Sequence, residues 1–346
     1  MSPRTNSKSK SKSLSKSKSK SNSKSKSKSK PKSQSTTATV SSLLSTPSVG
    51  ASLRYPTDAD GFAIPVNDPR QWLETADKYN FVVVSILGER ELAESRRALW
   101  SHMGDAVRAD DSTTWETKNW PQPDSPHLTT DLALDECAFR NRLNPTLVRL
   151  FQTLYGTKEL QATVDCYGVK RGTVFASHER ADWRRKALRL HWDSCPHEYV
   201  VDRARGRRRF QALVALSDNS HLTGSFACVP GSANDLERWT DAYQVESRKY
   251  VPRGNPLHRH VQRIPLRAGD VVVWDVGVAH ANFANHSCDA RLTQYCRMVP
   301  RADWALERES ACTSHFWKSG AQGKKEKTRI DKLKWTPYER RLLALD

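Results

Sequence analysis

The chain has 346 residues, a formal net charge of +18 and 37% hydrophobic residues. That length allows one large domain with extensions, or two small domains. Its longest obvious apolar stretch, FVVVSILG from Phe81 to Gly88, falls far short of the ~20 residues that a membrane-spanning helix needs, so no span is expected.

The charge is concentrated at the start. Residues 7–33 read SKSKSKSLSKSKSKSNSKSKSKSKPKS. Residues 1–36 carry twelve Lys or Arg and no acid, which leaves about +6 for everything else. Such a segment has nothing apolar to bury and cannot offset its ordering entropy. Residues 1–52, this tail plus a Ser/Thr-rich linker, are therefore expected to be disordered. No apolar segment of signal-peptide type follows the charges. Seven scattered cysteines without a CxxC pair favour reduced thiols and an intracellular location, cytoplasmic or nuclear. In that setting the NHS at Asn285 is a chance match to a glycosylation acceptor.

Folded sequence is expected from about residue 53. RQWLETADKYNFVVVSIL predicts a short helix and then a strand. GERELAESRRALWSHMG places Leu92, Leu99 and Met103 near one helical face. Residues 105–130, rich in Asp, Pro and Trp, read as a long loop in which Trp115 and Trp120 pack against the body or form a lid. NPTLVRLFQTLYG is a helix with Asn144 as N-cap, Pro145 at its first position and Gly156 after its end. From Leu160 onward the texture changes to short apolar runs: LQATVDCYGV, ALRLHWD, RFQALVALS, SFACVP, RHVQRIPL, DVVVWDVGV, AHANFA and ARLTQYCRMV. One helical pattern interrupts them, around NDLERWTDAYQV. Such a succession implies a β-sandwich or barrel. Residues 311–346 are read as a basic extension, weakly structured until a closing helix in TPYERRLLALD.

The chemistry gathers at three places. In ALRLHWD, residues two apart on a strand share a face, so His191 and Asp193 project together with Trp192 opposite. A third ligand is sought in the stretch that contains His280. If the chain forms a hairpin around Asn285 and His286, Arg291 lies opposite His280 and enters the same cavity. Thr293, two residues on, then faces inward as well. An arginine inside a β-core needs an anion. Two His, one carboxylate and open positions make the facial set of non-haem Fe(II) oxygenases, and the guanidinium beside it suits a carboxylate-bearing cosubstrate. Cys195 is expected to be a wall residue and His286 to face solvent. The cluster Arg203–Arg209, RARGRRR, is either an attractor of anions or a solvated loop.

These segments resemble the phytanoyl-CoA dioxygenase family of 2-oxoglutarate-dependent oxygenases from about Lys78 to Pro300. The similarity is carried by YNFVVVSILGERELAESRRAL, LHWDSCP, LVALSDNSHLTGSFACVPGS and LRAGDVVVWDVGVAHANFANHSCDARLTQY. The resemblance implies a mainly β fold with flanking helices, built on a double-stranded β-helix of the jelly-roll or cupin kind, over residues 53–310. It implies Fe(II) on His191, Asp193 and His280. It also implies 2-oxoglutarate on Arg291, with Thr293 as a hydroxyl partner and Lys170, in YGVKRG, near the active site. The family reaction couples decarboxylation of 2-oxoglutarate by O2, to succinate and CO2, with hydroxylation of a substrate; a carboxylate at Asp193 favours hydroxylation over halogenation. Two departures bear on the substrate: Ala233 stands where the family usually has His after Pro-Gly-Ser, and the Arg203–Arg209 insertion is long. The leading expectation is hydroxylation of a small organic substrate, with an anionic one suggested by the Arg cluster. One alternative is an oxygenase acting on nucleic acid or a basic nuclear protein, the tail binding polyanions. Another is a non-enzymatic basic binding protein on an oxygenase scaffold.

Overall fold

The computed structural model describes residues 53–121, 133–184, 189–243, 250–302 and 312–346. All belong to one unit, Leu44–Asp346. The expected disordered tail lies outside the described residues, as do residues 187 and 188 of the ALRLHWD run.

The early elements follow from their local sequence. Helix α1 (Trp72–Tyr79) ends at Asn80, whose φ of 63° turns the chain into β1 (Phe81–Ser85). Helix α2 (Glu89–Ser101) buries Leu92 and Leu99 as its spacing predicts. Helix α4 (Pro145–Tyr155) follows a short α3 (Glu136–Arg142) that periodicity did not reveal. The Asn144 side chain accepts from the amides of Thr146 and Leu147, and Gly156 closes α4 at φ 66°.

The short runs form β2 (Leu160–Ala162), β3 (Tyr167–Lys170), β4 (Phe210–Ala215), β5 (Phe226–Cys228), β6 (Gln262–Ile264), β7 (Asp270–Asp275), β8 (His280–Asn282), β9 (Arg291–Cys296) and β10 (Met298–Pro300). They pair antiparallel into a five-stranded sheet, β1-β7-β4-β9-β3, a three-stranded sheet, β6-β5-β8, and the pair β10-β2. Strand alternation sorts the side chains. Phe81, Val83, Leu213, Ala215, Val272 and Trp274 of the large sheet pack with Phe226, Cys228 and Ile264 of the small one. Val82, Val84, Ala212, Val214, Val271 and Val273 point the other way, into a core shared with α2, α3 and α4. Full burial of each such Val or Phe contributes about 1.5–3 kcal/mol.

The expected mainly-β, double-stranded β-helix fold is not what forms. Helix (35%) outweighs strand (21%), and no sheet among the described residues closes into a barrel. Apart from ALRLHWD, whose described residues form no strand, the runs that read as strands are real but short, several of only three residues, and the connections between them hold helices. Among these are α5 (Pro196–Ala204) and α6 (Leu236–Tyr243). The C-terminal extension adds α7 (Thr313–Phe316), α8 (Gly320–Asp331) and α9 (Pro337–Leu342). Helix α8 falls where weak structure was expected. Its glycines and lysines hide a docked face: Ile330 is buried, beside Trp317, Leu342, Leu343 and Leu345 of the same extension.

Asp135 caps α3 and joins it to β3. It accepts from the Ala138 amide at 2.8 Å, from the Tyr167 hydroxyl at 2.9 Å, and lies 3.0 Å from His102 Nε2. Burial opposes ionisation, but the bonds from His102, Ala138 and Tyr167 outweigh it and hold the carboxyl below its ordinary value. A depressed folded pKa gives stability that is present above the unfolded value, about 3.9, and lost as pH falls through the folded one. Thermal melts from pH 5 to pH 2 should therefore fall more steeply for the parent than for Asp135→Asn. Parallel curves would show that Asp135 adds nothing to the acid sensitivity.

Candidate metal centre

His191 does not sit in a strand of either sheet. It forms an isolated bridge to His280, at the start of β8, and another to Tyr250. The His191 amide donates to the His280 carbonyl at 3.0 Å, and the His280 amide returns the bond at 2.9 Å. This two-way bond brings together residues 89 positions apart in sequence. Trp192 turns away, as expected, and packs on Trp239 at 4.6 Å between ring centroids. Asp193 turns back beside His191.

The three side chains converge. His191 Nε2 lies 3.5 Å from Asp193 Oδ1, and His280 Nε2 lies 3.3 Å from Asp193 Oδ2. One donor atom from each residue falls within 4.8 Å of the others. The outer ring nitrogens are already committed: His191 Nδ1 is 2.8 Å from the Arg189 carbonyl, and His280 Nδ1 is 3.1 Å from the Val278 carbonyl. A carbonyl only accepts, so both rings carry hydrogen on Nδ1. Each Nε2 faces Asp193 and, in the neutral ring, carries the lone pair that can bind a metal ion. Burial alone would raise the Asp193 carboxyl. The charges and hydrogen bonds of His280 and His191 overcome this and hold it far below the usual carboxylate range. One divalent cation satisfies all three donors at once, so the residues present fit the group. Side-chain exposure is 12% for His191, 5% for His280 and 33% for Asp193, so the centre opens on the Asp193 side.

Arg291 is not the cross-strand partner of His280. Strand β8 pairs with β5 in the small sheet, whereas β9 pairs with β3 and β4 in the large one. The NHSCD turn carries the chain from one sheet to the other and does not fold it back as a hairpin. The residue opposite Arg291 is Lys170. Arg291 is buried: its Nε donates to Asn219 Oδ1 at 2.5 Å, and Nη2 to Asn282 Oδ1 at 3.3 Å. Asn282 lies two residues from His280. Lys170 Nζ donates to the Phe283 carbonyl at 2.7 Å. Burial, then the like charge of Arg291, pushes the Lys170 ammonium well down. Burial lowers Arg291 too. Among the described residues neither cation has a carboxylate in ion-pair range. Thr293 is buried and donates to the Gly168 carbonyl at 3.0 Å.

Gly224 lets a loop close over this region. Its φ is 91°, and a Cβ there would sit 2.5 Å from the Phe283 oxygen that Lys170 uses. Asn285 braces the turn that follows. Its Oδ1 accepts from the Ser287 amide and hydroxyl, and its Nδ2 donates to the carbonyls of Lys170 and Asp289.

Other expectations resolve plainly. His286 is exposed. Cys195 is partly buried at the start of α5. Trp115 and Trp120 are buried in the main core; the loop residues after them, 122–132, lie outside the described residues. Much of the Arg203–Arg209 charge is paired within the fold, Arg203 and Arg208 with Asp275, Arg208 also with Asp77, and Arg207 and Arg209 with Asp202. Sequence reasoning missed Gln211, which donates to Asp193 Oδ2 at 2.7 Å, and the two Asn that hold Arg291.

A 2-His-1-carboxylate set is consistent with Fe(II)/2-oxoglutarate chemistry, the class of the mononuclear non-haem oxygenases. The chain belongs to the phytanoyl-CoA dioxygenase (PhyH) family, whose profile matches residues 81–293. It is a 2-oxoglutarate-dependent dioxygenase with hydroxylase-type activity. A Dictyostelium discoideum protein assigned to the phytanoyl-CoA dioxygenases is 20% identical over 267 residues, which cover 66% of this chain and 74% of that one. Among solved structures, the non-haem α-ketoglutarate-dependent epimerase SnoN from nogalamycin biosynthesis is 18% identical, with 67% of this chain and 83% of that chain covered and a TM-score of 0.47. EctD from S. alaskensis, with 2-oxoglutarate and 5-hydroxyectoine, is 17% identical, with 73% and 81% covered and a TM-score of 0.46. No helix among the described residues is long and apolar enough to cross a membrane.

Proposed function

We propose that His191, Asp193 and His280 hold Fe(II), and that Arg291 and Lys170 receive the distal carboxylate of 2-oxoglutarate during hydroxylation of a small organic substrate with O2. The observation that carries this reading is the pair of buried cations, set opposite each other across β9 and β3 and lacking a carboxylate partner among the described residues. A buried charge requires a counter-ion, and a dicarboxylic cosubstrate supplies one. When bound, iron and 2-oxoglutarate supply the oxidative chemistry. The chain's own residues do the rest. Asn219 and Asn282 orient the Arg291 guanidinium, leaving its Nη1 side for the carboxylate. Thr293 has given its hydroxyl hydrogen to Gly168, so its part is to shape the wall. The carbonyls of Arg189 and Val278 fix the ring tautomers that present Nε2 to the metal.

Residues 53–310 are proposed as the oxygenase domain and residues 311–346 as an extension docked on it. The internal pairing of the Arg203–Arg209 cluster favours a small-molecule substrate over a polyanion. Anaerobic calorimetry of Mn(II)-loaded protein is the test. 2-Oxoglutarate should bind at one equivalent, and succinate, which lacks the keto group, more weakly. Equal affinity for the two would mean that the keto acid makes no contact at the metal.

A further inference from the structure

We propose that Gln211 is a positioning residue of the metal centre, holding Asp193 Oδ2 from the large sheet so that the carboxylate stays turned to the two histidines. The inference rests on the metal reading above and goes beyond it. Alternation on β4 sends Gln211 to the same face as Leu213 and Ala215, into the core between the sheets. A polar side chain on that face needs a partner. Its partner is Asp193 Oδ2 at 2.7 Å, in a segment 18 residues away. An ionised carboxylate only accepts, so the amide nitrogen is the atom that faces it.

The contacts of Asp193 give the bond its weight. Among the described residues its carboxylate meets His191, His280 and Gln211. Two of these are its fellow ligands, whereas Gln211 acts independently of the metal. His191 is tied to His280 by the two-way backbone bond; Asp193, two residues on, is in no strand or bridge. Its aim therefore depends on its side-chain contacts. The neighbour of Gln211 across the β4–β7 ladder is Trp274, whose ring lies 5.5 Å from that of His280. One cross-strand pair of the large sheet thus touches two of the three ligands from behind.

The test is metal affinity, read with Co(II) on the full chain without cosubstrate. Gln211→Met keeps the length and removes the donor. Gln211→Asn keeps the amide but withdraws it by one methylene. Loss of a residue that supports a ligand typically weakens metal binding by about 10–100-fold, and that loss is expected in both variants, with an altered Co(II) absorption band and a nearly unchanged melting temperature without metal. If Gln211→Met does not fold, Gln211→Asn decides. Parent-like affinity and absorption in the variants, with the parent binding Co(II), would overturn the role of Gln211. A parent that does not bind Co(II) would overturn the metal reading, and this inference with it.

Discussion

His191→Ala should abolish Fe(II)-dependent turnover of 2-oxoglutarate and leave the fold intact. The imidazole supplies one of three donors that converge within 4.8 Å. Its Nδ1 is held by the Arg189 carbonyl, so no other orientation offers the metal a nitrogen. Losing a ligand should cost more metal affinity than the roughly 10–100-fold typical of residues that only support one. The fold should survive because the backbone bonds between His191 and His280 do not involve the side chain. Equilibrium dialysis with Fe(II) under anaerobic conditions, beside a thermal melt, separates the two effects. Parent-like iron binding in the variant would remove His191 from the ligand set.

Arg291 should separate cosubstrate binding from metal binding. Its Nε is bound to Asn219 and its Nη2 to Asn282, so the guanidinium is oriented before any ligand arrives. Arg291→Lys keeps the charge but loses the planar fork, and it leaves Asn219 Oδ1 without its donor. Arg291→Ala removes the charge as well. A hydrogen bond to a charged group is worth about 1.5–3 kcal/mol, or roughly 10–100-fold in affinity. 2-Oxoglutarate binding to the Mn(II)-loaded protein should therefore weaken by about that factor in Arg291→Lys and further in Arg291→Ala. Mn(II) affinity without cosubstrate should barely move, because Arg291 is not a ligand. If both variants bind 2-oxoglutarate as the parent does, the anion lies elsewhere and Lys170 is the first alternative anchor.

The chemistry of the site was legible because it depends on residue type. HxD, a distant His and an inward Arg are rare on apolar runs, and each needs a partner there. Strands β1 and β7 were legible as dense Val runs whose two faces are both buried. Pairing was not legible. The polar turn at NHSCD is compatible with a hairpin, and only the β3 and β4 partners of β9 show that the chain changes sheets there. The same gap explains the overturned fold class: a list of short strands does not say whether their sheets close. Helix α8 was hidden because it buries little beyond Ile330 and Gly323. Gln211 did leave a trace, a polar residue alternating with Leu213 and Ala215. Its partner Asp193, however, arrives from outside the sheet.

The most direct measurement of the central claim is succinate formation by purified protein reconstituted anaerobically with Fe(II), supplied with 2-oxoglutarate and then exposed to O2. Turnover without the prime substrate is enough for detection. The expected result is succinate that accumulates only when Fe(II), 2-oxoglutarate and O2 are all present and that is absent in His191→Ala. Succinate no greater than that from Fe(II) without protein, from a chain shown to bind Fe(II) and 2-oxoglutarate, would contradict the assignment of oxygenase chemistry to this centre.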